Sequence, residues 1–190
     1  EGARIAITAR QRKQLDETAA TIRSLQGNVL VMPADLSIKS EAEQVVKKVV
    51  EHYGRIDVLY SAAGGNFDPT RTLDDVDETF WNTTVTNTLN SLYNLAQAVR
   101  PVMKAQGGGS IVTIAASSSV RQEGNPAYGA AKGGVIGLSQ NLARELYEDN
   151  IRVNCIGAGL FRGKLDTGRI TPGPRTLNRT GYPQDIGYAA

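Results

Sequence analysis

The sequence predicts an α/β fold: a doubly wound sheet of parallel strands covered by helices on both faces. Three observations carry that prediction. Short apolar runs alternate with segments of helical periodicity along most of the chain. The runs are apolar on both faces, as strands buried from both sides are. Polar and small residues collect just after the runs, where parallel sheets bind ligands: Arg10, Asp35, Ser61 to Gly64, Ser117 to Ser119, and Gly157 to Gly159.

The elements follow in order. RIAITA (4–9) reads as a strand, and residues 14–25 as an amphipathic helix with Leu15, Ala19, Ile22 and Leu25 on one face. NVLVMPA (28–34) is a second strand. Ser40 followed by Glu43 has the spacing of a capping box and opens a helix through Val45, Val46, Val49 and Val50 to about His52. RIDVLYSAA (55–63) is a third strand, followed by a loop over 64–74. Asp75 to about Gln106 reads as two helices. GGGSIVTIAA (107–116) is a glycine turn and a fourth strand. Residues 127–147 are helical, IRVNCIGA (151–158) is a fifth strand, and the Gly-, Pro- and Arg-rich remainder reads as loop.

Composition bounds the function. The 190 residues suffice for one domain with a sizeable core. A net charge of +2 is too balanced for a nucleic-acid or membrane surface, so neither partner is expected. The single cysteine, Cys155, excludes an internal disulfide and suits a reducing, cytoplasmic compartment; its strand context makes it a core residue by expectation. No run of about 18 apolar residues is present, so no spanning helix is expected, nor a secretory leader. No Cys/His/Asp cluster has metal spacing, and no metal is expected. Phe80 and Trp81 read as packing residues. The chain starts at Glu1 in mid-pattern, and a preceding segment is expected.

The densest chemical signal is AYGAAKGGVIG (127–137). Tyr128 and Lys132 lie four apart, on one helical face, with about 5–6 Å between Cβ atoms. A cation there favours the phenolate and lowers a pKa that is ordinarily about 10. A charge pair 4 Å apart at an effective dielectric of 20 gives roughly 4 kcal/mol before desolvation, so a lowering by about two units is within reach. A tyrosine so tuned exchanges protons near neutral pH. The small residues around the pair, Gly129, Ala130, Ala131, Gly133 and Gly134, leave clearance for a flat cofactor and for close helix contacts.

Tyr-x-x-x-Lys after a strand and a serine-rich loop resembles the short-chain dehydrogenase/reductase family. Six further segments resemble that family in the right order: ADLS (34–37), GRIDVLYSAAG, VTNTLNSLYN, GSIVTIAASSS, IRVNCIGAGLF and GYPQDIGYAA. The resemblance implies a Rossmann-type domain spanning 1–190, partial because the first strand with its glycine-rich loop and the last edge strand are lacking. The missing first strand would lie between RIAITAR and RIDVLYSAAG, leaving the two halves without a shared ladder. A flexible substrate-loop region over 159–182 is expected within it.

The resemblance also implies roles. Tyr128 is the general acid or base, Lys132 lowers its pKa and hydrogen-bonds the nicotinamide ribose, and Asn87 completes a water relay. A serine steadies the substrate oxygen: Ser117, with Ser118 as the other candidate. Asp35 and Leu36 belong to the adenine side, Ala62, Ala63 and Gly64 to the turn beside the cofactor, and Gly159 and Phe161 to the nicotinamide side. An acid at the end of the RIAITAR strand would bind a ribose 2′-hydroxyl, whereas an arginine accommodates a 2′-phosphate. Ala9 stands where the acid would be and Arg10 follows, so NADP(H) is preferred and NAD(H) remains possible. The implied substrate is a small carbonyl compound or alcohol, and the implied assembly a homo-oligomer, dimer or tetramer, packed through the helices of Asn87 and Tyr128.

Several positions depart from the pattern. Ser61 and Ala62 replace the two usual asparagines, Ala158 replaces a proline, and Gly163 stands where a threonine is usual. GAGLFRG (157–163) misses the dinucleotide spacing by one residue and is followed by prolines, so it does not read as a phosphate loop. These departures keep a rival open: a non-catalytic or truncated relative serving as a binding or interaction module.

Overall fold

The computed structural model describes residues 2–160. Phe161, Gly163, the GYPQDIGYAA segment and most of the expected 159–182 loop therefore lie outside the described residues. Five strands alternate with helices: β1 (Arg4–Ala9), α1 (Arg12–Ser24), β2 (Asn28–Pro33), α2 (Lys39–Tyr53), β3 (Val58–Ser61), α3 (Glu78–Val85), α4 (Ser91–Ala105), β4 (Gly109–Ala116), α5 (Ser118–Glu123), α6 (Pro126–Glu145) and β5 (Ile151–Ala158). A π-helical turn, Thr86–Asn90, joins α3 to α4, and a 3₁₀ turn, Tyr147–Asp149, precedes β5.

All strand pairs are parallel. β1 pairs with β2 from Arg4 opposite Asn28 to Ala9 opposite Pro33. β4 is central in the order β3-β4-β5, with Val58 opposite Ser110 and Ala116 opposite Ala158. The two sheets share no ladder, as the expected gap between the halves requires. They share a core instead. Met32 and Leu36 from the first half and Ile111 and Ile151 from the second pack on one cluster with Val45 and Val46 of α2 and Leu95, Val99 and Met103 of α4. Each such buried side chain contributes about 1.5–3 kcal/mol. The facing edges of β1 and β3 line a cleft of ≈ 980 Å³, floored by Val45, Val46, Val49, Leu95 and Val99.

Local chemistry explains most element ends, and two expectations need correction: the cap of α2 and the serine-rich loop after β4. Helix α2 begins at Lys39 behind Ile38, whose side chain makes no cap, so Ser40 and Glu43 form no capping box. The reason is the turn before it: Asp35 accepts from Ser37 N (3.0 Å) and Ser37 Oγ (2.6 Å), and its own N–H donates to Glu41 Oε2 (2.7 Å). Those bonds carry the chain into the helix two residues early, with Ile38 rather than Ser40 at the cap position. Helices α3 and α4 are not separated by a break, because Val85, Thr86, Asn90 and Ser91 all keep right-handed helical torsions. Residues 118–123, read as loop, form the short helix α5. Asp77 caps α3 by accepting from Phe80 N (2.7 Å). Arg100 and Lys104 of α4 grip Asp149 at 2.8 and 2.7 Å, which fixes the turn into β5. Those bonds, Lys104's first, hold the Asp149 carboxyl below its usual range.

Candidate active site

The carboxyl ends of the strands bring the predicted residues into two adjoining groups. Arg10, Asp35, Leu36, Ala62, Ala63, Gly64 and Asn87 line the cleft. Tyr128 and Lys132 on α6 and Ser117 between β4 and α5 do not line it and gather at the end of β4, and Gly159 directly follows β5.

In the cleft, Arg10 Nη1 donates to Asn87 Oδ1 (3.3 Å), joining the tip of β1 to the π turn. The wider turn places Asn87 where its side chain faces the cleft; such turns are frequent at functional sites. Asp35 is held below the usual carboxylate range chiefly by the Ser37 hydroxyl, then by Ser37 N–H, with a smaller contribution from Arg10. Its carboxylate is therefore ionised and already serves the turn. Leu36 is a core residue with its carbonyl facing α4, where Asn94 Nδ2 donates to the carbonyls of Leu36 and Ser37, both at 3.0 Å. Sequence reasoning missed Asn94; the signal was a carboxamide on the apolar face of SLYNLAQAV, where no helix needs one. Gly64 has φ +114°, and a Cβ there would sit 2.7 Å from Thr88 Oγ1, so only glycine lets this turn approach the π turn.

In the second group, the Tyr128 ring packs on Ala116 and Val120 and meets Phe67 edge to face, with centroids 5.3 Å apart and planes at 74°. Lys132 is buried, and its Nζ donates to the Ile114 carbonyl at 2.8 Å. Here the electrostatics differ from expectation. Burial pushes the phenol of Tyr128 up from its ordinary value, and burial pushes Lys132 down, against a small opposing effect of Cys155. The ammonium spends a hydrogen bond on the strand, and desolvation outweighs any help it gives the phenolate.

Ser117 caps α5: its Oγ accepts from Val120 N at 3.4 Å and lies 3.2 Å from Ser119 Oγ. Capping uses a lone pair and leaves the O–H to donate. Ser118 is the first residue of α5, and Ala116 is the residue packed on Tyr128. The small residues of α6 have separate reasons. A Cβ on Gly129 would lie 2.9 Å from the Arg121 carbonyl, and one on Gly134 would lie 2.9 Å from Leu89 Cδ1, whereas Gly133 faces open space. Close helix contact thus explains two of them. Cys155 is exposed rather than core: among the described residues β5 has no strand on its outer side. Trp81 and Tyr93 are exposed as well, at 41% and 51%. Among the described residues no helix is long and apolar enough to cross a membrane, and no three His, Cys, Asp or Glu side chains gather as a metal site would require.

Arg10, Asp35, Gly64 and Asn87 all line this cleft, with Arg10 and Asn87 bonded to each other; it runs between β1 and β3, the place the family resemblance gives to a further strand. Among the described residues no glycine-rich loop opens a helix there for a pyrophosphate.

Known proteins resemble this chain over most of its length. The family model for short chain dehydrogenase matches residues 1–170. The 3-oxoacyl-[acyl-carrier-protein] reductase of Thermotoga maritima is 34% identical over 98% of this chain and 78% of its own length. Among solved structures, L-sorbose reductase of Gluconobacter frateurii, complexed with NADPH and L-sorbose, is 31% identical with a TM-score of 0.76, covering 85% of this chain. A NAD+-bound xylitol dehydrogenase is 27% identical with a TM-score of 0.78, covering 84%. The chain spans 61% and 62% of those two solved chains, under two thirds of their length.

Proposed function

The chain belongs to the short-chain dehydrogenase/reductase family, and from that premise we propose that it is an NADP(H)-dependent oxidoreductase acting on a small carbonyl compound or secondary alcohol. The observation that carries the reading is the α6 face, where Tyr128 and Lys132 stand one turn apart at the end of β4, Tyr128 packed on Ala116 and Lys132 bonded to the Ile114 carbonyl.

A reduced nicotinamide bound at the carboxyl ends of the strands would supply the hydride; the chain's residues do the rest. Tyr128 donates the proton to the carbonyl oxygen as it becomes an alkoxide. Burial favours the protonated phenol, so at neutral pH this group is an acid for reduction rather than a base for oxidation. Lys132 has three donors. One is committed to Ile114 O, and the others are available to ribose hydroxyls. The Ser117 O–H steadies the carbonyl oxygen where charge develops, with Ser118 one residue further as the alternative. Asn87 relays protons from the π turn. Asp35 and Leu36 flank the adenine, Ala62, Ala63 and Gly64 keep the turn after β3 thin, and Gly159 is on the carboxamide side; Phe161, assigned to the same side, lies outside the described residues.

Arg10 is the basis for preferring NADP(H). The two solved relatives carry NADPH and NAD+ respectively, so cofactor choice turns on this chain's own residues. A hydrogen bond to a charged group contributes about 1.5–3 kcal/mol, or roughly 10- to 100-fold in affinity. Arg10→Ala is expected to weaken NADPH by that factor and NADH by less than about twofold. Equal losses measured by fluorescence titration would refute the 2′-phosphate role.

Exposed Trp81 on α3 and Tyr93 on α4 support self-association as a dimer or tetramer through this side of the molecule. A lone cysteine supports a reducing, cytoplasmic setting. The second reading, a non-catalytic binding module, is favoured by the capping duty of Ser117 and by Ala158 where the family pattern has a proline. Incubation of the protein with NADPH and a carbonyl panel including a 3-oxoacyl thioester and L-sorbose separates the two. Carbonyl-dependent NADPH oxidation supports the enzyme; NADPH binding without it on any panel member supports the module.

A further inference from the structure

We infer that Asn125 is a positioning residue for Tyr128, a single carboxamide that locks the start of α6 onto the loop after β3 and thereby holds the phenol at the end of β4. The inference rests on the reading of Tyr128 as the proton donor.

The geometry is specific. Asn125 is 1% exposed and is the N-cap of α6. Its Oδ1 accepts from the backbone N–H of Tyr128 itself at 2.9 Å. Its Nδ2 donates to the Asn66 carbonyl at 2.6 Å. A carbonyl only accepts and an N–H only donates, so these partners fix the carboxamide's orientation. Asn66 lines the cleft and sits in the left-handed region, φ 68°. Asparagine tolerates that conformation at some cost, and it persists where surroundings over-determine it. Here Asn66 Nδ2 donates to Thr84 Oγ1 of α3 at 2.8 Å while its carbonyl is held by Asn125.

The next residue is Phe67, whose ring meets Tyr128 edge to face. On the other side, Gly124 leaves so little room that a Cβ there would lie 2.8 Å from Tyr128 Cδ1. The loop, the helix start and the phenol ring thus close a circuit with Asn125 as its only carboxamide link between α6 and Asn66 among the described bonds. A capping serine, threonine or aspartate would satisfy the helix alone. The second bond, to Asn66, is what a cap does not need.

Asn125→Ser separates the two duties. Serine caps about as well as asparagine but is too short to reach the Asn66 carbonyl. The variant is expected to melt within a few degrees of the wild type, keep its KM for NADPH, and lose about tenfold in kcat for carbonyl reduction. A second readout needs no substrate. In protein labelled with ¹³Cζ-tyrosine, with the Tyr128 resonance assigned by its loss in Tyr128→Phe, the phenol should titrate closer to the ordinary value of about 10 in Asn125→Ser. Wild-type kcat together with a wild-type Tyr128 titration in Asn125→Ser would overturn the proposal, as would loss of the cooperative fold, which would make the second bond structural. If instead Tyr128→Phe itself keeps full turnover, the proton-donor reading fails, whatever Asn125→Ser does.

Discussion

Tyr128→Phe lowers the rate of carbonyl reduction by a factor of about 10²–10⁴, the range of a positioned general acid, and leaves the melting temperature and NADPH affinity nearly unchanged. The substitution removes one hydroxyl from a ring that packs on Ala116 and Val120 and meets Phe67 edge to face. Those contacts belong to the ring and survive. The hydroxyl has no hydrogen-bond partner among the described residues, so its removal leaves no buried group unsatisfied. A loss of turnover without a loss of stability therefore reports proton transfer. Steady-state kinetics beside thermal unfolding make the comparison, and unchanged turnover would remove Tyr128 from the chemistry.

Lys132→Met lowers kcat by about 10²-fold or more while the protein becomes no less stable and melts at an equal or higher temperature. Lys132 is 6% exposed, and burial already pushes its ammonium down. A buried cation held by one carbonyl is costly, and an apolar side chain of similar length relieves that cost. A structural lysine would show the reverse, an intact rate with a lower melting temperature. Thermal unfolding and kcat measured on one preparation distinguish the two.

The strands were legible as short apolar runs between helical patterns, although only β4 is buried along most of its length, and RIAITA and IRVNCIGA matched β1 and β5 at both ends. RIDVLYSAA was read too long: only Val58–Ser61 pair, because parallel pairing with β4 runs only from Ser110 to Thr113. The π turn could not be read, since a shift from i+4 to i+5 bonding has no residue signature. Ser40 looked like a cap because spacing ignores the Asp35 turn that starts α2 earlier. Among site residues, the four-residue interval correctly put Tyr128 and Lys132 on one helix. It could not say where a flexible butylammonium ends, and the choice of Ile114 O over the phenol reverses the expected electrostatics. Asn94 and Asn125 act through partners 58 and 59 residues away in sequence, and no local pattern encodes such distances.

The most direct test of Tyr128 as the proton donor is the pH dependence of kcat for carbonyl reduction in the wild type and in Tyr128→Phe. A proton donor is active below its pKa and lost as pH rises through it. Because burial raises this phenol, the wild-type rate should stay level through neutral pH and fall only on the far alkaline side, beyond the ordinary phenol range, and the residual rate of Tyr128→Phe should lack that limb. An alkaline limb that persists in Tyr128→Phe would contradict the account, because another group would then be delivering the proton.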